Sequence, residues 1–268
     1  MRVLTPEKLK PFVDDARALG AEAFVVASYG KIVPQALLDA VPIAFNVHPS
    51  LLPLYRGATP LQSAIRDGRT ETGVTIIAMD AGMDTGDVLL QDRTPLGATE
   101  TYGELHDRLA QRGAELVRDA LEQYANGTLT RTAQAATARQ LGIGDDEIER
   151  TRTRPLRKED LAIDWTMPRD RVIDMIRSLA PQPLARTEFP RGQMLKIVSV
   201  RPIAARDAAG GTTLPPVPQP YLSVERPAFE AQCGDENPVE IERLIAPNRG
   251  PMTGKAFAQS YLTREFGR

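Results

Sequence analysis

The chain of 268 residues has very little of several residue types that mark particular protein classes. Its single cysteine, Cys233, excludes an intrachain disulfide, and two histidines (His48 and His106) are too few for a typical Cys/His zinc site. Apolar runs are far shorter than the roughly 20 residues that cross a bilayer, and no charged-then-apolar leader opens the chain. We therefore expect a soluble, cytoplasmic protein that needs no metal and no membrane partner.

The chain also lacks an excess of charge of either sign, with 33 basic and 35 acidic residues. This balance excludes a protein that coats nucleic acid through its overall charge. The distribution is uneven: residues 1–150 have 15 basic and 21 acidic side chains, and residues 151–268 have 18 and 14. Residues 150–158 (RTRTRPLRK) hold five basic side chains and no acid. A solvated linker and a strip that faces a polyanion both fit this composition.

What is present is ordinary globular composition, 42% hydrophobic and 25% charged, with clear periodicity in the first half. Continuous apolar runs typical of buried strands occur at residues 23–28, 43–47, 73–79 and 88–91. Helices are predicted between them and on either side, at residues 5–19, 34–40, 61–67 and 101–126. Strands that alternate with helices predict an α/β domain with a largely parallel sheet.

The second half has a different pattern. Residues 128–155 are polar and without periodicity, so we predict a basic linker there, between domains at residues 1–127 and 156–268. A helix is predicted at residues 168–179, and residues 204–220 are predicted to form a flexible loop. Short apolar runs separated by turn residues are typical of a small β-barrel or sandwich, and lie at residues 193–203, 222–224, 229–233 and 239–245.

The most informative stretch is NVHPSLLPLYRGATP at residues 46–60, which begins where the predicted strand 43–47 ends. Ligands of open α/β sheets bind at the carboxyl ends of strands. Asn46 and His48 are two residues apart on an extended segment, so their side chains project to one face. An amide and an imidazole can together stabilise a developing oxyanion, and histidine can also move a proton near neutral pH. His48 could equally be a hydrogen-bonded residue of loop structure.

A carboxylate, Asp84, follows the next predicted strand in the segment DAGMDTG at residues 80–86. We expect Gly82 and Gly86 to let the backbone turn sharply around it. An Asp, a His and an Asn at neighbouring strand ends can support attack on a carbonyl, although Asp84 could also serve as a turn or cap residue. The tripeptide Asp-Thr-Gly occurs in aspartic proteases, but one copy in an α/β domain does not support that chemistry.

The stretches NVHPSLLPLYRGATPLQSAI and GVTIIAMDAGMDTGDVLLQ closely resemble the folate-dependent formyltransferases. In this resemblance Asn46, His48 and Asp84 match the family's catalytic residues. The tetrahydrofolate-contacting segment is matched by Ser50, Leu51, Leu52 and Pro53. The sequence RGATP at residues 56–60 looks more like the members that act on tRNA than those of purine synthesis, and residues 160–165 (DLAIDW) are similar to the start of their C-terminal domain.

The resemblance implies an α/β fold: an incomplete Rossmann-like formyltransferase domain whose first strands are missing, followed by a small OB-like β-barrel that binds tRNA. The chain is expected to begin near the family's third strand. The implied reaction transfers the formyl group of 10-formyltetrahydrofolate, without a metal, to the α-amino group of initiator methionyl-tRNA in a monomeric enzyme. Two alternatives stay open: a formyltransferase for a small amine such as a sugar nucleotide, and an inactive truncated remnant that binds RNA or folate.

Overall fold

A computed structural model describes residues 7–9, 12–30, 32–189, 192–204, 218–223 and 228–266, the side chains of 264–266 excepted. The chain divides into two compact units. The first comprises Met1–Ala64, Thr70–Leu96 and His106–Pro155, and the second comprises Ile65–Arg69, Gly97–Leu105 and Leu156–Arg268. Among the residues just given, no helix combines the length and the hydrophobicity needed to cross a membrane.

The first unit contains a four-stranded sheet in which the strands lie in chain order. These strands are β1 (Phe24–Ala27), β2 (Ala44–His48), β3 (Glu71–Ala78) and β4 (Val88–Pro95). Only β1 and β2 pair in parallel, whereas β3 pairs antiparallel with both β2 and β4. The prediction of a largely parallel sheet is therefore wrong for these strands. The loop at 79–87 is shorter than the dozen or so residues a parallel crossover needs, and apolar runs alone do not indicate strand direction.

Helices pack around this sheet, and two of them also supply residues to the second unit. They are α1 (Val13–Ala18), α2 (Gln35–Leu38), α3 (Pro60–Arg66), α4 (Tyr102–Ala125), α5 (Gln134–Leu141) and α6 (Asp145–Arg150). The apolar side of α4 faces β2: the Tyr124 ring meets the Phe45 ring edge-on at 6.0 Å between centroids. A Cβ on Gly113 would lie 2.8 Å from Val47 Cγ1, so the glycine permits the close approach of helix and sheet.

The segment at residues 128–155, predicted to be a linker, instead contains α5 and α6 and belongs to the first unit. Its residues Gln134, Ala138 and Ile148 are buried. The helix α5 ends at Leu141 and is capped by Gly142, which has φ of +67°, the left-handed conformation common after helix ends. Helices of eight and six residues are too short to show the periodicity that identified α4.

The second unit is an antiparallel sheet with helices against it, as the OB-like expectation requires. Its strands are β5 (Ala185–Phe189), β6 (Gln193–Pro202), β7 (Pro220–Ser223), β8 (Ala228–Gln232), β9 (Pro238–Ile245) and β10 (Pro251–Thr253). They pair in the order β5-β6-β9-β8-β7, with β10 on β9. They are accompanied by the α-helices α7 (Arg169–Arg177) and α8 (Gly254–Phe266) and by a 3₁₀ helix at Glu159–Leu161. The strands β5 and β10 and the helix α8 were not predicted, and most of the predicted loop at 204–220 lies outside the described residues.

Aromatic rings form the centre of the second unit. The Phe189 ring lies 5.0 Å from that of Phe229, 5.7 Å from that of Phe257 and 5.3 Å from that of Tyr261. These edge-on contacts add directional packing to the burial of apolar area. The indole of Trp165 is also buried, and its Nε1–H donates to Thr187 Oγ1 at 2.9 Å.

Candidate active site

The structure brings together Asn46, His48 and Asp84, the three residues singled out in the sequence. The first two lie on β2, and Asp84 lies on the loop that follows the adjacent strand β3. Asn46 Nδ2 donates to Asp84 Oδ1 at 3.2 Å, and His48 Nδ1 lies 3.5 Å from the same oxygen. An amide, an imidazole and a carboxylate therefore meet around one atom, although their catalytic roles stay a prediction.

The His48 imidazole is almost completely buried, with 4% of its surface exposed. Its Nε2 lies 3.0 Å from the Tyr55 carbonyl oxygen, and because a carbonyl only accepts, Nε2 carries the hydrogen. Burial lowers the pKa of His48 below its ordinary value, while the Asp84 carboxylate and the Tyr55 carbonyl raise it and Arg56 lowers it. The lowered pKa favours the neutral imidazole, in which Nδ1 is the unprotonated nitrogen and faces Asp84. Since Nε2 is bonded to Tyr55, this geometry does not offer the outward His48 donor expected for an oxyanion.

The Asp84 carboxylate is held by backbone as well as by side chains. Gly57 N–H donates to Asp84 Oδ2 at 2.9 Å. Gly57 has φ of +111°, and a Cβ there would lie 2.1 Å from the Thr153 carbonyl oxygen, so only glycine fits. Nothing in the sequence alone marked Gly57 for this role, although it lies within the informative stretch at residues 46–60.

The loop around Asp84 turns in a different way from the one expected. Asp84 itself has φ of +56°, in the left-handed region that Asp tolerates better than most residues. Gly82 and Gly86 are required by close packing instead. A Cβ on Gly86 would lie 1.8 Å from the Ala78 carbonyl oxygen, and one on Gly82 would lie 1.9 Å from Thr85 Oγ1.

The predicted folate-contacting segment, residues 50–53, is buried throughout. Ser50 Oγ donates to the Leu54 carbonyl at 2.7 Å, so this hydroxyl is a structural group and not a nucleophile. Thr75 Oγ1 on β3 donates to the Ser50 carbonyl at 2.7 Å and accepts from Leu52 N–H at 3.2 Å. The segment is therefore anchored to the sheet beside the three site residues, and its contact with folate stays a prediction.

Two further residues, Gln134 and Arg56, support the loop that carries Asp84. Gln134 is 5% exposed, and its Nε2 donates to the carbonyl oxygens of Asp84 and Gly86, each at 2.8 Å. Its Oε1 accepts from Arg56 Nε at 3.0 Å and from Arg56 Nη2 at 2.7 Å. No sequence signal marked Gln134, because it lies in the segment that was predicted to be a linker.

The remaining chemical candidates do not form sites. Among the residues that the structure describes, no cluster of three or more His, Cys, Asp or Glu side chains is arranged to hold a metal. Burial, aided by Asp235, raises the pKa of the Cys233 thiol to about 12, so this thiol is a poor nucleophile. His106 is exposed on α4, with Nδ1 3.0 Å from Asp107 Oδ1.

Together the fold and site define a formyl transferase. Residues 5–121 match the formyl transferase family model and residues 155–262 match the formyl transferase C-terminal domain, so the chain belongs to this family. Within the family, the chain is similar to methionyl-tRNA formyltransferases. The one from Chloroflexus aggregans is 38% identical over 261 residues, which cover 95% of this chain and 77% of that protein.

Two solved structures have folds similar to that of this chain. HypX from Aquifex aeolicus, in complex with tetrahydrofolic acid, matches with a TM-score of 0.67 at 18% identity. That match covers 94% of this chain, which spans only 41% of the HypX chain. An N-formyltransferase from Helicobacter canadensis, in complex with folinic acid and dTDP-3-aminofucose, matches with a TM-score of 0.58 at 16% identity over 80% of this chain and 70% of that one.

Proposed function

We propose that this chain transfers the formyl group of 10-formyltetrahydrofolate to the α-amino group of initiator methionyl-tRNA, as a cytoplasmic monomer. The observation that carries the proposal is the meeting of Asn46, His48 and Asp84 around one carboxylate oxygen. It occurs in a chain that is 38% identical to a methionyl-tRNA formyltransferase over 95% of its length. Bound 10-formyltetrahydrofolate would supply an activated formyl carbon, and residues 50–53 would form part of its site.

Asn46 is the side chain best suited to stabilise the oxyanion that develops on the formyl oxygen. One of its two amide N–H groups donates to Asp84, which leaves the second for the substrate. A preorganised donor of this kind contributes about 10²–10³-fold to the rate. Because Asn46 is partly exposed whereas His48 is buried, the amide is also the more accessible of the two.

Asp84 and His48 would move the proton that the attacking amine must lose. As the C–N bond forms, the proton can pass to the Asp84 carboxylate or, through it, to the neutral Nδ1 of His48. A protonated Nδ1 would then donate to Asp84 Oδ1, now 3.5 Å away. The same proton returns to the folate nitrogen when its bond to the formyl carbon breaks, so the residues end in their original state.

The basic segment at residues 150–158 would contact tRNA. Its five basic side chains are all exposed: Arg150, Arg152, Arg154, Arg157 and Lys158. Arg152 is paired with Glu149 at 2.9 Å, so the strip is not uniformly free to bind an anion. Contacts with phosphates would make tRNA affinity fall steeply as salt concentration rises.

The test is formyl transfer to methionyl-tRNA, followed by mass spectrometry, for the wild type and His48→Ala. We expect formylmethionyl-tRNA from the wild type and a loss of about 10²–10⁴-fold in His48→Ala. Equal activity in both would remove His48 from the mechanism.

An amino-sugar nucleotide is the competing acceptor. Its formylation by the wild type, with no reaction on tRNA, would contradict the proposal. Salt-sensitive tRNA binding without turnover would identify a binding protein instead.

A further inference from the structure

The carboxamide of Gln134 uses its full hydrogen-bonding capacity inside the first unit. Both of its N–H donors bind carbonyl oxygens of the Asp84 loop, and its oxygen accepts two bonds from the Arg56 guanidinium. The side chain is 5% exposed, so these bonds lie where water does not compete well. A buried amide with four partners has essentially one orientation.

These bonds join the two loops on which the site depends. Arg56 lies between Tyr55, whose carbonyl binds His48 Nε2, and Gly57, whose N–H binds the Asp84 carboxylate. On the other side, Gln134 holds the carbonyl of Asp84 itself, a residue with φ of +56°. The carboxylate and the backbone of Asp84 are therefore fixed by separate partners.

We propose that Gln134 is a positioning residue for formyl transfer, which holds the Asp84 loop at the distance from Asn46 and His48 that the reaction requires. This inference rests on the proposed function. Gln134 forms hydrogen bonds with Arg56, Asp84 and Gly86 but not with Asn46 or His48, so its effect on the reaction would pass through Asp84. A displacement of about 1 Å in such a group can lower a rate by about 100-fold.

The kinetic test compares Gln134→Ala and Gln134→Glu with Thr137→Ala, a buried position three residues along the same helix. The Glu variant keeps an acceptor for Arg56 but places an oxygen against the two loop carbonyls. We expect both Gln134 variants to lower kcat by about 10–100-fold, with KM changed less than about 3-fold. Thr137→Ala should keep kcat near the wild-type value. If Gln134→Glu had the kcat of the wild type, the bonds from Gln134 to the carbonyls of the Asp84 loop would not be needed, and the proposal would be overturned.

A double-mutant cycle tests whether the effect passes through Asp84. In an Asp84→Asn background we expect Gln134→Ala to lower kcat by less than about a further 3-fold, because the group it positions is already lost. The same fold-loss in both backgrounds would mean that Gln134 acts on stability or by another route, and would overturn the proposal.

A second readout does not depend on activity, because the chain has only two histidines and NMR can follow both. Burial is the largest cause of the lowered pKa of His48, and among the charged groups Asp84 raises that pKa more than Arg56 lowers it. Since Gln134 binds both the Asp84 loop and Arg56, Gln134→Ala should shift the pKa of His48 if these groups move, with the His106 signals as an internal reference. An unchanged pKa would overturn the proposal. If the wild type does not formylate methionyl-tRNA, the proposed function fails while this titration still tests Gln134.

Discussion

The two units bury polar groups in different ways. In the first unit His48, Gln134 and Ser50 are buried, and each has a hydrogen-bond partner that belongs to the site or its supporting loops. Among the described residues, the buried side-chain atoms that have no hydrogen-bond partner are Arg169 Nε, Arg186 Nε and Gln232 Oε1, and all three lie in the second unit. The second unit instead depends on an aromatic centre of rings that meet edge-on.

This difference indicates what each unit requires of its buried residues. A buried polar side chain costs free energy unless it is hydrogen-bonded, so a fully bonded cluster specifies one arrangement of the loops that carry it. Aromatic packing contributes mainly stability, through apolar area removed from water. Substitution of buried polar residues in the first unit should therefore affect activity most, and substitution in the aromatic centre should affect stability most.

The largest expected effect is that of Asp84→Asn on catalysis. The substitution keeps the shape of the side chain but removes the charge that faces His48 Nδ1 and the site that can take a proton. We expect kcat/KM for formyl transfer to fall by about 10³-fold. The free energy of unfolding should fall by about 1–3 kcal/mol, because the new amide NH₂ faces one of the N–H donors of Asn46 and Gly57. Steady-state kinetics and denaturant unfolding measure the two quantities. Unchanged turnover would show that this polar residue of the first unit is not required for activity, and would contradict the stated difference between the two units.

The next effect is the loss of stability in Phe229→Ala. Phe229 is completely buried, with its ring 5.0 Å from those of Phe189 and Phe257. Truncation should lower the free energy of unfolding by about 3–5 kcal/mol. The fluorescence of Trp165, the only tryptophan and part of the second unit, reports this transition in guanidinium. Phe229→Leu is the control and should lose clearly less, and a loss below about 1 kcal/mol in the Ala variant would contradict the aromatic-centre account.

A smaller effect is expected for Thr187→Val, which removes the acceptor of the buried Trp165 N–H. Valine has a similar volume, but the change also removes the longer bond that Thr187 Oγ1 donates to the Glu188 carbonyl oxygen at 3.3 Å. An unpaired buried donor should cost about 2 kcal/mol in the free energy of unfolding. Thr187→Ser keeps the hydroxyl and is the matched control. Equal stability of the Val and Ser variants would show that the bond contributes little.

The smallest effect is a pH dependence of the first unit that originates from His48. Because the pKa of His48 is lowered in the folded state, the unfolded chain binds the proton more readily. Stability therefore falls as the pH drops below about 6.5, the ordinary histidine pKa. The slope cannot exceed about 1.4 kcal/mol per pH unit. Hydrogen exchange of the β2 and β3 amides measures it, with second-unit amides as the reference. His48→Gln should flatten the dependence, and an unchanged slope in that variant would assign it to another group.

Long or strongly apolar elements were predictable from the sequence. The helix α4 lies where its periodicity placed it, and the strands β2, β3 and β9 lie where their apolar runs placed them. The helices α5 and α6 and the strands β5 and β10 were missed because their sequences, QAATARQL, DDEIER, ARTEF and PMT, contain no continuous apolar run. The pattern of apolar residues also could not predict strand direction, because a buried strand has the same pattern in a parallel and in an antiparallel sheet.

The order of residues along the chain determined which chemical groups the protein has: an amide and an imidazole two positions apart on a strand, and a carboxylate just beyond the next one. Folding decided how those groups are held. Gly57 reaches the carboxylate of Asp84, 27 residues away, and Gln134 reaches its carbonyl, 50 residues away. Such bonds depend on which loops the sheet brings together in space, and no local pattern of side chains encodes that proximity.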